Sequence, residues 1–180
     1  MNAIPIYEGH PWSPYFVFIK NTEMTDRNLL EALGLKTYVT ISTVDSRFDY
    51  LAIGRDPYWT HILDNFGYSH WHSDEFRNAI VKLGSNFDIF TFSVGDTDMS
   101  FDFQLYRRGH LVRSFVWEDL DYSGGRLKEQ SGASLEGEEF IPCGKDPVAG
   151  LWRVASAQGI KSDYDKLPLK IYAPTPDIPA

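Results

Sequence analysis

Between Thr97 and Glu118 the chain reads TDMSFDFQLYRRGHLVRSFVWE, two arms of alternating residue types joined by Arg107-Arg108-Gly109-His110. On the first arm Phe101, Phe103 and Leu105 alternate with Asp102, Gln104 and Tyr106. On the second, Leu111, Arg113, Phe115 and Trp117 alternate with Val112, Ser114 and Val116. A period of two is that of a strand with one face against a core, and Gly109 is free to take the positive φ that a short hairpin loop needs. A β-hairpin is therefore predicted. Phe87 to Val94 (FDIFTFSV) leads into it through the Gly95-Asp96 turn, so three consecutive strands form a meander.

Upstream, Tyr15 to Lys20 (YFVFIK) is aromatic and β-branched enough to be a first strand. Leu35 to Thr43 and Phe48 to Ile53 read as two more. Tyr58 to Leu63, after Gly54-Arg55-Asp56-Pro57, reads either as the return arm of a hairpin or as a helix opened by Pro57. Three helices carry start and stop signals. Thr25 caps a stripe of Leu29, Leu30 and Leu33 that ends at Gly34. Ser73 caps a second helix, with Asp74 and Glu75 in its first turn, Phe76, Ala79, Ile80 and Leu83 on one face, and Gly84 closing it. Asp146 and Pro147 open a third, with Val148, Leu151, Trp152 and Ala155 as its stripe and Gly159 as its end.

Glu118 to Glu139 carries seven acids against two bases and many turn formers, and reads as a long solvated loop. The proline-rich lead 1–14 and tail 161–180 resist regular structure, the tail offering at most a short edge strand at Leu169 to Tyr172. The pattern predicts one domain, 1–180, of the α+β class: a mainly antiparallel meander sheet of about six or seven strands with about three helices packed on one face.

Composition bounds the function. Hydrophobic residues make up 43% and aromatics 15% of 180 residues, enough for a core without disulfide or metal. Cys143 stands alone, so no intrachain disulfide forms, and a reducing cytoplasm suits the chain. The start, MNAIPIYEGHPWSP, lacks a basic region followed by an apolar run, and no apolar stretch reaches a membrane span, so a soluble cytoplasmic protein is expected. A formal charge of −8 argues against nucleic acid, which is held by Lys and Arg on phosphates, and suits a basic protein partner.

Among chemistries, His61, Asp64, His70 and His72 form the densest ligand cluster. His70 and His72 point the same way if extended, as zinc or iron ligands need, with Asp64 or His61 completing the set. A metal-dependent, hydrolase-like enzyme is the alternative reading that follows, and a small-ligand pocket lined by Phe and Trp is a third. Asp96 and Asp98 resemble a phosphatase nucleophile loop, but the chain runs on into a strand at Phe101, and turn capping accounts for them better. No serine lies in a G-x-S-x-G elbow, and Cys143 has no histidine near it in sequence.

Aromatic residues outnumber what one sheet face can bury, so Trp59, Tyr68, Trp71, Tyr106 and Trp117 are expected at a binding surface, with Glu118, Asp119 and Asp121 as its acidic rim. Tyr106, Gly109, Leu111, Val112 and Phe115, with Trp59-Thr60-His61-Ile62 upstream, resemble bacterial domains found beside polymorphic toxins as immunity proteins. That resemblance implies a small acidic protein that neutralises a toxin by covering its active site. The leading expectation is a non-catalytic protein-binding module of this kind, without a cofactor.

Overall fold

The computed structural model describes residues 15–42, 50–64, 73–95, 100–119, 124–141, 147–161 and 167–175. Nine strands are present: β1 (Tyr15–Lys20), β2 (Tyr38–Ile41), β3 (Leu51–Arg55), β4 (Trp59–Asp64), β5 (Ile89–Val94), β6 (Phe101–Arg107), β7 (His110–Glu118), β8 (Arg126–Ser131) and β9 (Lys170–Pro174). The helices are α1 (Asp26–Ala32), α2 (Asp74–Gly84) and α3 (Val148–Ala157), and a short 3₁₀ turn spans Glu138–Phe140. The strands build one open antiparallel sheet in the order β2-β9-β3-β4-β1-β5-β6-β7-β8. The class is α+β, with two or three more strands than the pattern suggested.

The surplus has identifiable causes. Tyr58 to Leu63 resolves to a strand because Asp56 pins a tight turn. Its Oδ1 accepts from the N–H groups of Tyr58 (2.7 Å) and Trp59 (2.8 Å), and its own N–H donates to the Trp59 carbonyl. The Asp56 N–H to Trp59 carbonyl bond closes the turn of a hairpin, and the segment after it is held as a strand by pairing with β3 on one side and β1 on the other. The acidic stretch 118–139 is not all loop: Arg126–Ser131 pairs with β7 as the last strand of the sheet. The tail segment is not an edge either, since β9 lies between β2 and β3. Pro174 fits there because it stands opposite Tyr38 at a position that does not bond to β2, while the flanking Thr175 N–H donates to Thr37 O at 2.9 Å.

Helices cover both faces rather than one. Phe16, Phe18, Phe90, Phe92 and Phe103 point to the side on which Leu151, Val154 and Ala155 of α3 pack. Val17, Ile19, Ile62 and Ile89 point to the other, against Leu29, Leu30 and Leu33 around α1 and Phe76, Ile80 and Leu83 of α2. Tyr15-Phe-Val-Phe-Ile-Lys20 is apolar at both parities, as a strand sandwiched between two layers requires. Trp152 closes the phenylalanine cluster edge-on, with centroids 5.1 Å from those of Phe16 and of Phe92.

The caps form as read. Thr25 Oγ1 accepts from Asn28 N, and Ser73 Oγ from Phe76 N. Pro147 precedes α3, and Asp146 lies outside the described residues. Gly84 belongs to α2, which is capped by Ser85, and its bare Cα lets the Tyr106 ring approach. The hairpin loop is Arg108-Gly109, with φ of 48° and 84°, the two positive values of a type I′ turn. One bulge alters the alternation. Leu105 pairs with Arg113 but Tyr106 with Leu111, so Val112 is extra and Leu111 leaves the face of Arg113, Phe115 and Trp117.

Candidate functional site

Strand register gathers several chain ends at one end of the sheet. Tyr15 of β1 stands opposite Asp64 of β4, and Asp64 in turn opposite Leu51 of β3. Val94 pairs with Phe101, and Gly95 N–H donates to Ser100 O at 2.7 Å. Ser100 Oγ accepts from Asp119 N at 2.9 Å, just past the end of β7. Phe101 stacks on Trp117, which pairs with Leu127 of β8. Tyr15, Asp64, Gly95, Ser100 and Asp119 thus adjoin segments 1–14, 65–72, 96–99 and 120–123, all joined to the sheet at this end.

Two polar atoms here are buried without a hydrogen-bond partner among the described residues: Trp117 Nε1, a donor, and Asp119 Oδ1, an acceptor. Gly125, at φ +64°, lies directly against the Trp117 indole, where a β-carbon would overlap the ring. Glu118 faces outward between Arg126 Nη2 (3.1 Å) and Lys128 Nζ (2.7 Å), and these hydrogen bonds hold its carboxyl below the usual range.

The structure redistributes the residues expected to bind. Trp59 and Tyr106 are buried, Trp59 in the cluster on the α3 side and Tyr106 beneath α2, so neither offers a face to a partner. Asp119 is 2% exposed, and Trp117 is partly buried against the α3-side core. The reason is shared: helices on both faces absorb aromatics that a one-sided sheet would leave exposed. Tyr68, Trp71 and Asp121 lie outside the described residues. Within the acidic stretch Glu118 is paired with two cations and Glu138 with Arg113.

The expected ligand set does not assemble around β4. His61 shares parity with Trp59 and Leu63 on the α3 side, whereas Asp64 shares parity with Ile62 on the other, so their side chains leave the strand on opposite faces. His61 Nε2 lies 3.0 Å from Asp56 Oδ2 instead. Burial holds the His61 imidazole below its usual range against the opposing pull of Asp56. Burial raises the Asp56 carboxyl, but bonds from His61, Tyr58 and Trp59 outweigh it and the net shift is downward. His70 and His72 lie outside the described residues. Among the described residues no group of three or more His, Cys, Asp or Glu could hold a metal ion.

No family model, curated protein or solved structure matches this chain. Its own geometry carries the rest.

Three polar clusters escaped the sequence reading. Arg113, 2% exposed, meets Glu138 through two bonds and donates to the carbonyls of Ser131 and Gly132. Asp26, at the start of α1, receives Tyr172 Oη, Lys170 Nζ and the Arg55 guanidinium, tying α1 to β3 and β9. Asp102 accepts from Ser93 Oγ at 2.7 Å, and burial pushes its carboxyl up to about 6. A lone arginine among Phe115 and Trp117, or a lone aspartate between Phe101 and Phe103, was the available signal.

Charge is unevenly placed. Ten of the 25 acids but only three of the 17 bases (Arg47, Lys145 and Lys166) fall outside the described residues, so the described body is close to neutral. The four segments named above hold four acids (Glu8, Asp96, Asp98, Asp121), six aromatics (Tyr7, Trp12, Phe66, Tyr68, Trp71, Tyr122) and no Lys or Arg, while 43–49, which enters β3 at the same end, adds Asp45, Asp49, Phe48 and Arg47. Among the described residues no helix is long and apolar enough to cross a membrane.

Proposed function

We propose that this protein is a non-catalytic binding module of the immunity type that captures a basic protein partner at the end of the sheet where β1 begins and β4, β5 and β7 end. The observation that carries the reading is the convergence there of Tyr15, Asp64, Gly95, Ser100 and Asp119. These residues adjoin four segments rich in aromatics and acids, and 43–49, which enters β3 at the same end, adds two acids against the single base Arg47. Aromatic side chains supply the area of a binding hot spot, and unbalanced acids steer a basic partner and disfavour other acidic proteins. The strands beneath are buried on both faces, a rigid platform for such segments. Of the stretch from Glu118 to Glu139 the reading uses only the part from Asp119 to 123; Glu118 and Glu138 are already paired with cations.

The test is capture of a basic partner, beginning with the product of an adjoining toxin gene, at low and moderate salt. Wild type is expected to retain it, with affinity falling as salt rises. Trp71→Ala with Asp121→Asn is expected to lose it, whereas Arg108→Ala at the opposite end of the sheet leaves it unchanged. Equal retention by all three proteins would sink the proposal.

A further inference from the structure

Trp117 and Asp119, at the end of β7, each carry one buried polar atom that the described residues leave unmatched. Trp117 Nε1 is a donor and Asp119 Oδ1 an acceptor, and both are closed off from solvent. The Asp119 main chain is fixed separately, its N–H donating to Ser100 Oγ at 2.9 Å. A polar atom that loses its hydration and gains no partner destabilises the folded state, so native proteins satisfy nearly all of them. Here a donor and an acceptor are left over in the same place.

Gly125 gathers the two side chains around one point. A β-carbon on it would lie 2.2 Å from Trp117 Nε1, 2.8 Å from Trp117 Cε2 and 2.8 Å from Asp119 Cβ. That position borders both side chains at once, and a residue without a β-carbon keeps it clear of carbon. The backbone agrees, since a φ of +64° is one that residues with side chains rarely adopt. Glycine at 125 thus serves the turn and the room beside the indole together.

Chemistry limits what can bond to both atoms. A metal ion, an ammonium or a guanidinium group suits the carboxylate but accepts nothing from the indole. Chloride or a second carboxylate accepts from the indole but gives no proton to Asp119 and sets like charge beside it. A carboxamide or an alcohol carries both functions on a larger body, for which two atoms closed to solvent leave no opening. Water does both in the smallest volume, and buried waters are held by as few as two such partners. We propose that Trp117 and Asp119 bind one buried water, which accepts from Nε1 and donates to Oδ1 beside the bare Cα of Gly125. It bridges the residues on either side of Glu118, whose carboxylate bonds outward to Arg126 and Lys128. The inner bridge and the outer ion pairs fasten the end of β7 from two sides, and fix the Asp119 carboxylate where the chain passes into 120–123. The water belongs to the protein without a partner, so the proposal stands apart from the binding function above.

Magnetic resonance of the full chain with ¹⁵N-labelled tryptophan tests this. The Hε1 signal of Trp117, assigned by its loss in Trp117→Phe, is expected to show a cross-peak to water of the sign given by a long-lived bound molecule and not by exchanging solvent. Asp119→Leu removes the acceptor and is expected to abolish that cross-peak. Asp119→Asn keeps a side-chain oxygen and is expected to retain it. The indole signals of the other four tryptophans, at their wild-type positions, show that each variant folds, and the wild-type spectrum stands as the test if Asp119→Leu does not. A Trp117 Hε1 protected from exchange but without a water cross-peak means that the indole bonds directly to protein and overturns the proposal. So does a cross-peak that Asp119→Leu leaves unchanged.

Discussion

Arg113 and Glu138 face each other as a two-pronged ion pair inside the protein, Nε to Oε1 at 2.9 Å and Nη2 to Oε2 at 2.7 Å. Arg113 stands opposite Leu105 on the face that carries Phe103 and Phe115, with its guanidinium 5.4 Å from the Phe115 ring centre. Glu138 Oε1 also accepts from Leu135 N, so the pair fastens the segment after β8 to the middle of β7. Removing one partner strands a buried charge, whereas replacing both does not. Glu138→Ala is expected to cost about 3–5 kcal/mol. Arg113→Met with Glu138→Leu is expected to cost clearly less than that single change, a difference read from urea unfolding of the two variants and wild type.

Asp102 gives stability the opposite pH slope from most carboxylates. Burial raises its pKa from 3.8 to about 6, against the lowering effect of Ser93 and Arg77. Between those two values the folded chain holds a proton that the unfolded chain has released, so this group's contribution is full below the lower value and lost as pH rises through the upper one. Asp102→Asn removes the slope and keeps an acceptor for Ser93 Oγ. The variant is expected to be more stable than wild type by about 1–2 kcal/mol at pH 7, with the gap closing below pH 4. A gap of constant size across urea titrations at several pH values would contradict the assignment.

Tyr172 and Asp26 give the ordinary slope. Burial opposes ionisation of Asp26, but hydrogen bonds from Tyr172, Arg55 and Lys170 outweigh it and hold the carboxyl below 3.8. Burial, reinforced by Asp26, pushes the Tyr172 phenol up to about 12. The Asp26 contribution is present above its unfolded pKa and lost as pH falls through the folded one. Tyr172→Phe removes one of the three hydrogen bonds to the carboxylate. It is expected to cost about 1–3 kcal/mol at neutral pH and to move the acid-unfolding midpoint to higher pH, both read by circular dichroism.

Gly125 reports on the partly buried Trp117, whose Nε1 is shielded from bulk water. At φ +64° and against the indole, a β-carbon has neither a comfortable backbone conformation nor room. Gly125→Ala is expected to destabilise by about 1–3 kcal/mol and to shift the tryptophan emission to the red as the indole is displaced toward water. An unchanged spectrum and midpoint would show that the indole packs elsewhere in solution.

Local chemistry made much of the fold readable. Thr25 and Ser73 carry their own capping oxygens, Gly109 its own turn, and Phe101, Phe103 and Leu105 their own face. Features that depend on distant partners were not readable in the same way. Arg126–Ser131 has the composition of a loop and becomes a strand because β7 presents an edge to it, and Lys170–Pro174 becomes an interior strand because β2 and β3 flank it. Likewise, the candidate site was half legible. Its aromatic and acidic residues are visible in the chain, but Trp59, Tyr106 and Asp119 were expected at a surface and are buried.

The sequence by itself determined the α+β class, the caps of α1 and α2, the hairpin that turns at Gly109 and the excess of acid, because each depends on residues within a few positions of one another. Tertiary structure alone decided that α3 covers one face and α1 and α2 the other, and that Val112 bulges and turns Leu111 away from Phe115. It also decided that Arg113 finds Glu138 and that β9 lies between β2 and β3. Each of these follows from which strands lie side by side, and in an antiparallel sheet the closest neighbours of a strand come from anywhere in the chain.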